Sequence, residues 1–159
     1  MITQIPILSL IIFLPTIGAI LVFACAQGDK KTVANNARWG ALWASFSTFL
    51  LSLWLLADFK KNTAQFQFVE KTEWIPQYSI SYHIGVDGIS LLFILLTTLL
   101  TPICILASWT SIQSRVKEYM ISFLILETFI IGMFCSLDLL IFYIFFEAVL
   151  IPMFIITGI

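Results

Sequence analysis

The sequence predicts an all-α polytopic membrane protein: five transmembrane helices, with a short external β-hairpin in the second loop. Three observations carry that expectation. The chain of 159 residues is 60% hydrophobic and 11% charged, with a mean hydropathy of +1.04, which excludes an ordinary soluble domain. Five segments are long and apolar enough to cross a hydrocarbon core, which takes about 20 residues of helix. Their apolar runs are uninterrupted, which argues against a transmembrane barrel, whose strands alternate. The charges gather between the segments, and two glutamates are the notable exceptions.

The first span is Ile5–Ala26. It lacks a basic leader and its apolar stretch exceeds the about 7–15 residues of a signal peptide, so a retained helix is expected. A first loop carrying Lys30, Lys31 and Arg38 leads to the second span, Gly40–Ala57. The next linker, from Asp58 to Gly88, is too patterned to be a bare turn. Gln65–Val69 and Ser79–Ile84 alternate polar and apolar residues, the period of a strand, and Trp74–Gln77 between them can turn. A hairpin on the membrane surface is expected at about 60–86, with Trp74, Tyr78 and Tyr82 at the interface.

The third span is Ile89–Trp109. Asp87 stands before it either as an N-cap that complements the helix dipole or as a group that supports gating or charge relay, and Asp138 stands in the same relation to the fifth span. The fourth and fifth spans are Tyr119–Leu137 and Leu139–Ile159. Pro102 and Pro152 lie inside the third and fifth. Each removes a backbone donor, freeing the carbonyls of Thr98 and Ala148, which either kinks a packed helix or supplies polar atoms to a hydrated path.

Lys30, Lys31, Arg38, Arg115 and Lys117 outnumber Lys60, Lys61 and Lys71. The positive-inside rule therefore places the N-terminus and the hairpin loop outside, and the first and third loops inside. Cys25, Cys104 and Cys135 have no metal-site or redox-pair spacing and are expected to be buried and inert. One histidine makes a His-based metal site improbable, and no nucleic-acid or phosphate-loop signature is present.

Glu127 and Glu147 each stand alone in the middle of an apolar span. An ionisable group at that depth costs roughly 3 kcal/mol on insertion scales, and it usually faces a polar interior and handles protons or ions. Counted along the spans, both lie near the midplane, displaced laterally, which suits a proton path along the membrane plane. Tyr143, one turn before Glu147, is placed to hydrogen-bond it. No lysine occurs inside any of these spans, so the ammonium partner of a carboxylate relay must come from elsewhere.

Phe66–Glu70 (FQFVE), Gly85–Ser90 (GVDGIS), Lys117–Met120 (KEYM), Leu137–Leu140 (LDLL) and above all Phe142–Phe154 (FYIFFEAVLIPMF) are similar to the N-terminal third of one subunit family. The chain resembles subunit 4, chain M in bacteria, of proton-pumping NADH:quinone oxidoreductase, respiratory complex I. The resemblance implies an antiporter-like fold of about fourteen helices, of which this chain would be the front part. Residues 1–118 would hold the three leading helices, and 119–159 the first two helices of the first repeat. It implies that Glu147 is the essential proton-carrying glutamate and that Glu127 supports lateral transfer. It also implies no cofactor in this chain, with NAD, FMN, iron–sulfur clusters and quinone held by other subunits. Expected partners are membrane lipids, the subunit's remaining helices on the same or a separate chain, and neighbouring antiporter-like subunits; no nucleic acid is expected. The expected location is an energy-transducing membrane, the mitochondrial inner membrane or else the bacterial cytoplasmic membrane. Two other readings are a subunit of a multi-subunit cation/proton antiporter and a non-conducting structural or assembly piece. The GVDGIS and KEYM stretches favour the respiratory enzyme.

Overall fold

The structure, a computed structural model, describes residues 6–60, 65–78 and 80–159. Its elements are α1 (Ile7–Cys25), α2 (Lys30–Asp58), β1 (Gln67–Ile75), a 3-10 turn (Pro76–Tyr78), β2 (Ile80–Val86), α3 (Gly88–Ser111), α4 (Val116–Cys135) and α5 (Leu139–Thr157). All five helices are long and apolar enough to cross a membrane, so the expected fold class is borne out. Ile5, Lys61 and Ser79, which the sequence reading used, lie outside the described residues.

The second helix departs most from expectation. It begins at Lys30 and not at Gly40, so Lys30, Lys31 and Arg38 are helical and not in a loop. Lys, Ala and Arg are good helix formers, and hydropathy alone misses a helix that continues past the apolar zone. At about 1.5 Å per residue its 29 residues span about 43 Å, longer than a core of about 30 Å. Arg38 sits in that overhang. Its guanidinium donates to the Ile112 carbonyl at 2.8 Å and lies 5.8 Å from the Trp109 ring centre. Lys117 does the matching work for α1, donating to the Ala26 carbonyl at 3.1 Å and resting 4.7 Å from the Phe23 ring centre. Both cations therefore meet the negative ends of helix dipoles.

The central helix is α4, packed against the other four helices. Small residues set the closest approaches. A Cβ on Gly18 of α1 would lie 2.3 Å from the Cβ of Ala44 on α2, and one on Gly132 of α4 would lie 2.6 Å from the Phe145 ring of α5. Without a hydrophobic drive between helices in lipid, such contacts and interhelical hydroxyl bonds hold the bundle. Ser52 of α2 bonds Thr98 of α3 at 2.8 Å, and Thr16 of α1 bonds Thr128 of α4 at 2.8 Å. Each is worth about 1 kcal/mol.

β1 and β2 form the expected antiparallel hairpin, with Lys71 opposite His83 and Thr72 opposite Tyr82. It does not simply lie on a surface. Ile84 and Val86 are fully buried with Ile7, Leu8 and Ile94, so the hairpin closes one end of the bundle. Leu137 donates its N–H to the His83 carbonyl at 2.9 Å, tying the α4–α5 turn to β2. Glu70 reaches 62 residues back along the chain, where its Oε1 accepts from the Leu8 N–H at 2.9 Å. It also accepts from the Ser9 N–H at 3.3 Å and from the Ser9 hydroxyl. Pro6 offers α1 no side-chain cap, so a carboxylate from the hairpin serves as its N-cap. Tyr82 was expected at the interface but turns inward. Its hydroxyl lies 3.2 Å from Ser9 Oγ, and burial foremost pushes its pKa up. Trp74 and Tyr78 are exposed, as an interfacial position requires.

The helices alternate in direction, so Lys30, Lys31, Arg38, Arg115 and Lys117 collect at the end opposite the hairpin. If that end faces inside, an impermeant thiol reagent added outside is expected to label a cysteine placed at Gln67. It should spare one placed at Lys30, both in a background lacking the three native cysteines. The reverse labelling would overturn the orientation.

Candidate functional site

Glu127 is 1% exposed on α4, beside the surfaces of that helix that pack on α1 and α5. Those surfaces are occupied: Thr128 meets Thr16, Leu124 meets Gly18, and Phe129 and Gly132 meet Phe145. Glu127 instead faces a groove of about 180 Å³ between α3 and α4, where Thr97 and Thr101 of α3 are the other hydroxyl-bearing residues. Neither carboxyl oxygen of Glu127 has a hydrogen-bond partner among the described residues. Buried polar groups are nearly always paired, so this one stands out.

Glu147 is exposed on α5. It lies two residues beyond Phe145, hence about 200° round the helix from the face that meets α4. Tyr143 is one turn earlier and faces the Glu147 carboxyl closely enough to interact with it. The two carboxyls thus look away from each other, and α4 stands between the Glu127 groove and the Glu147 face. Their depths agree. Glu127 is eight residues before the end of α4, and Glu147 is eight residues after the start of α5. At about 1.5 Å per residue both lie about 12 Å below the hairpin end. The fourth span had been placed at Tyr119–Leu137; it starts three residues earlier and ends two earlier, which brings the depths together.

The remaining candidates fall into structural places. Asp87 accepts from the Ser90 N–H at 2.7 Å, and Asp138 accepts from the Leu140 N–H at 2.9 Å. Both are helix N-caps, as the sequence suggested. The backbone hydrogen bond from Ser90 is the main reason that the Asp87 carboxyl is held below its usual range. Its contribution to α3 is present above that range and is lost as pH falls through the lowered pKa. Pro152 and Pro102 are both buried within their helices. Of the cysteines, only Cys135 is buried; Cys25 and Cys104 lie on outward helix surfaces. That corrects the expectation of three buried thiols, since apolar spans have faces that this bundle leaves uncovered. The sequence reading missed Thr97 and Thr101, although two threonines one turn apart in an apolar run were a visible signal.

Fold and site together define a multi-pass helical membrane protein with one carboxyl buried at mid-depth and a second on an uncovered helix face. No family model matches the chain. It is 51% identical over 152 residues to NADH-ubiquinone oxidoreductase chain 4 of Marchantia polymorpha, covering 96% of this chain and 30% of that protein. It is 50% identical over 153 residues to NADH-quinone oxidoreductase subunit M of Rhodobacter capsulatus, covering 96% of this chain and 29% of that protein. Its fold matches a chain of respiratory complex I from Thermus thermophilus with bound NADH, at TM-score 0.72 and 25% identity, over 91% of this chain and 27% of that one. The chain is a homologue of NADH-ubiquinone oxidoreductase chain 4 and NADH-quinone oxidoreductase subunit M, and it spans about 30% of the length of the curated relatives it matches.

Proposed function

We propose that the chain is a membrane-arm segment of a proton-translocating NADH:quinone oxidoreductase, in which Glu127 and Glu147 relay protons. The observation that carries this reading is the Glu127 carboxyl: fully buried, unpartnered among the described residues, and level with Glu147. A group that only linked helices would be expected to show its bond. A group that loads and releases protons needs changeable partners in a confined site. Helices α1–α3 are the three leading helices, of which α3 lines the groove with α4, and α4 and α5 open the first antiporter-like repeat. The ammonium partner comes from further helices or a neighbouring subunit, which cover the Tyr143–Glu147 face. NAD, FMN, iron–sulfur and quinone chemistry belongs to other subunits, and the host membrane is the mitochondrial inner membrane or its bacterial equivalent.

Glu127→Gln in the assembled complex is expected to reduce NADH-driven proton uptake into vesicles several-fold, without abolishing it. Water or neighbouring polar groups can bypass one carboxyl in a lateral path. Unchanged uptake at normal assembly would refute the relay role of Glu127.

A further inference from the structure

We propose that the β1–β2 hairpin is a latched lid over one end of the bundle, and that Glu70 is its catch on α1. The latch stands independently of the relay reading of Glu127 and Glu147.

The hairpin is held at two places. On the β2 side, the Leu137 N–H bonds the His83 carbonyl, and Ser136 forms a bridge with Ile84. A Cβ on Gly85 would lie 2.7 Å from Leu137 Cδ1 and 3.2 Å from Val69 Cγ2. The FQFVE, GVDGIS and LDLL stretches, far apart in sequence, thus converge on one joint with no spare room. On the β1 side, the hold on α1 is the Glu70 carboxylate. Glu70 stands opposite the fully buried Ile84. Antiparallel partners share a face, so its side chain is turned toward the bundle. There it accepts from the Leu8 N–H, the Ser9 N–H and the Ser9 hydroxyl, all in the first turn of α1.

β1 is strained beside this catch. The register shifts by one residue between Gln67 and Glu70, and Phe68 in that bulge holds a φ of 54°. A bulky side chain rarely adopts that left-handed conformation. Such strain persists only where the surroundings over-determine it. Here the Glu70 catch and the packing of Phe68 on the core do so. Opening the catch releases the strain, so the lid is poised to lift. A native reporter lies beneath it. Cys135, at the end of α4, is fully buried in one cluster with Leu8, Ile84 and Val86, and Phe68 and Tyr82 pack against that cluster. The closed lid keeps solvent at that end away from the helix that carries Glu127.

The test is the rate at which a maleimide added on the hairpin side modifies Cys135 in the assembled complex, read by mass on this chain. Hydrogen–deuterium exchange of Ile80–Val86 and of the Leu137 amide is the second readout, and neither depends on proton uptake. Glu70→Ala removes all three bonds. It is expected to raise both rates at least about tenfold, the factor carried by one hydrogen bond to a charged group. Ser9→Ala keeps the two backbone bonds and is expected to raise them about threefold. Once Glu70 is replaced by alanine, Ser9→Ala should add nothing, because its partner is gone. Glu73→Gln, at an exposed carboxyl on the same strand, should leave both rates unchanged. If the Glu70→Ala complex fails to assemble, Glu70→Gln, which keeps one acceptor and loses the charge, should give an intermediate rise. Fully additive effects of the two substitutions would mean general loosening and would overturn the latch. Wild-type rates in both Glu70→Gln and Ser9→Ala would overturn it as well.

Discussion

Glu147→Gln is expected to abolish proton pumping in the assembled complex, with a loss of about a hundredfold or more, the scale on which positioned proton carriers contribute. Glutamine keeps the size and hydrogen-bonding capacity of the side chain but cannot release a proton. Glu147 stands at mid-depth on an exposed face of α5, with Tyr143 as its neighbour one turn back. An ionisable group there costs roughly 3 kcal/mol if it meets only lipid, so the relay reading requires that face to meet a polar surface. The measurement is NADH-driven proton uptake in vesicles, together with the redox rate and a check of assembly. Tight coupling would bring the redox rate down with the pumping. Near wild-type pumping by a normally assembled Glu147→Gln complex would end the assignment.

What the sequence revealed and what it hid divide along physical lines. Hydropathy located all five helices because burial in lipid is read by composition over about 20 residues. It failed at Lys30–Trp39, where the helix leaves the hydrocarbon zone and charge no longer marks an end. Period-two alternation found the hairpin, yet placed the first strand at Gln65–Val69, whereas β1 runs from Gln67 to Ile75. Backbone pairing extends a strand through KTEW without needing an apolar face. Asp87 and Asp138 were legible as caps because capping is local. Glu70 was not, since its helix lies 62 residues away and only the closed fold brings them together. The two glutamates announced themselves as charges in apolar runs. The direction each one faces depends on which helix packs where, and single-helix periodicity cannot supply that. For the same reason Thr97 and Thr101 read as ordinary residues until α3 was set beside α4.

That facing direction yields the sharper test of Glu127. In a Glu127→Gln background, Phe123→Glu is expected to restore at least half of the lost pumping, whereas Leu124→Glu is expected to restore none. Along a helix both positions lie one turn back and look equivalent. In the bundle they differ. Phe123 lines the same α3–α4 groove as Glu127, so a carboxyl there reaches the threonine oxygens and shares the path. Leu124 is fully buried, and its Cδ1 is 3.6 Å from where a Cβ on Gly18 would stand, in the tight junction of α1, α2 and α4. A glutamate at that site has neither room nor partner, at a cost of several kcal/mol, so poor assembly is expected alongside absent rescue. Equal rescue from both positions would mean that the groove does not define the path. If Phe123→Glu assembles and still pumps no better than Glu127→Gln alone, the lateral route through this groove fails, and Glu127 reverts to a buried helix-packing residue.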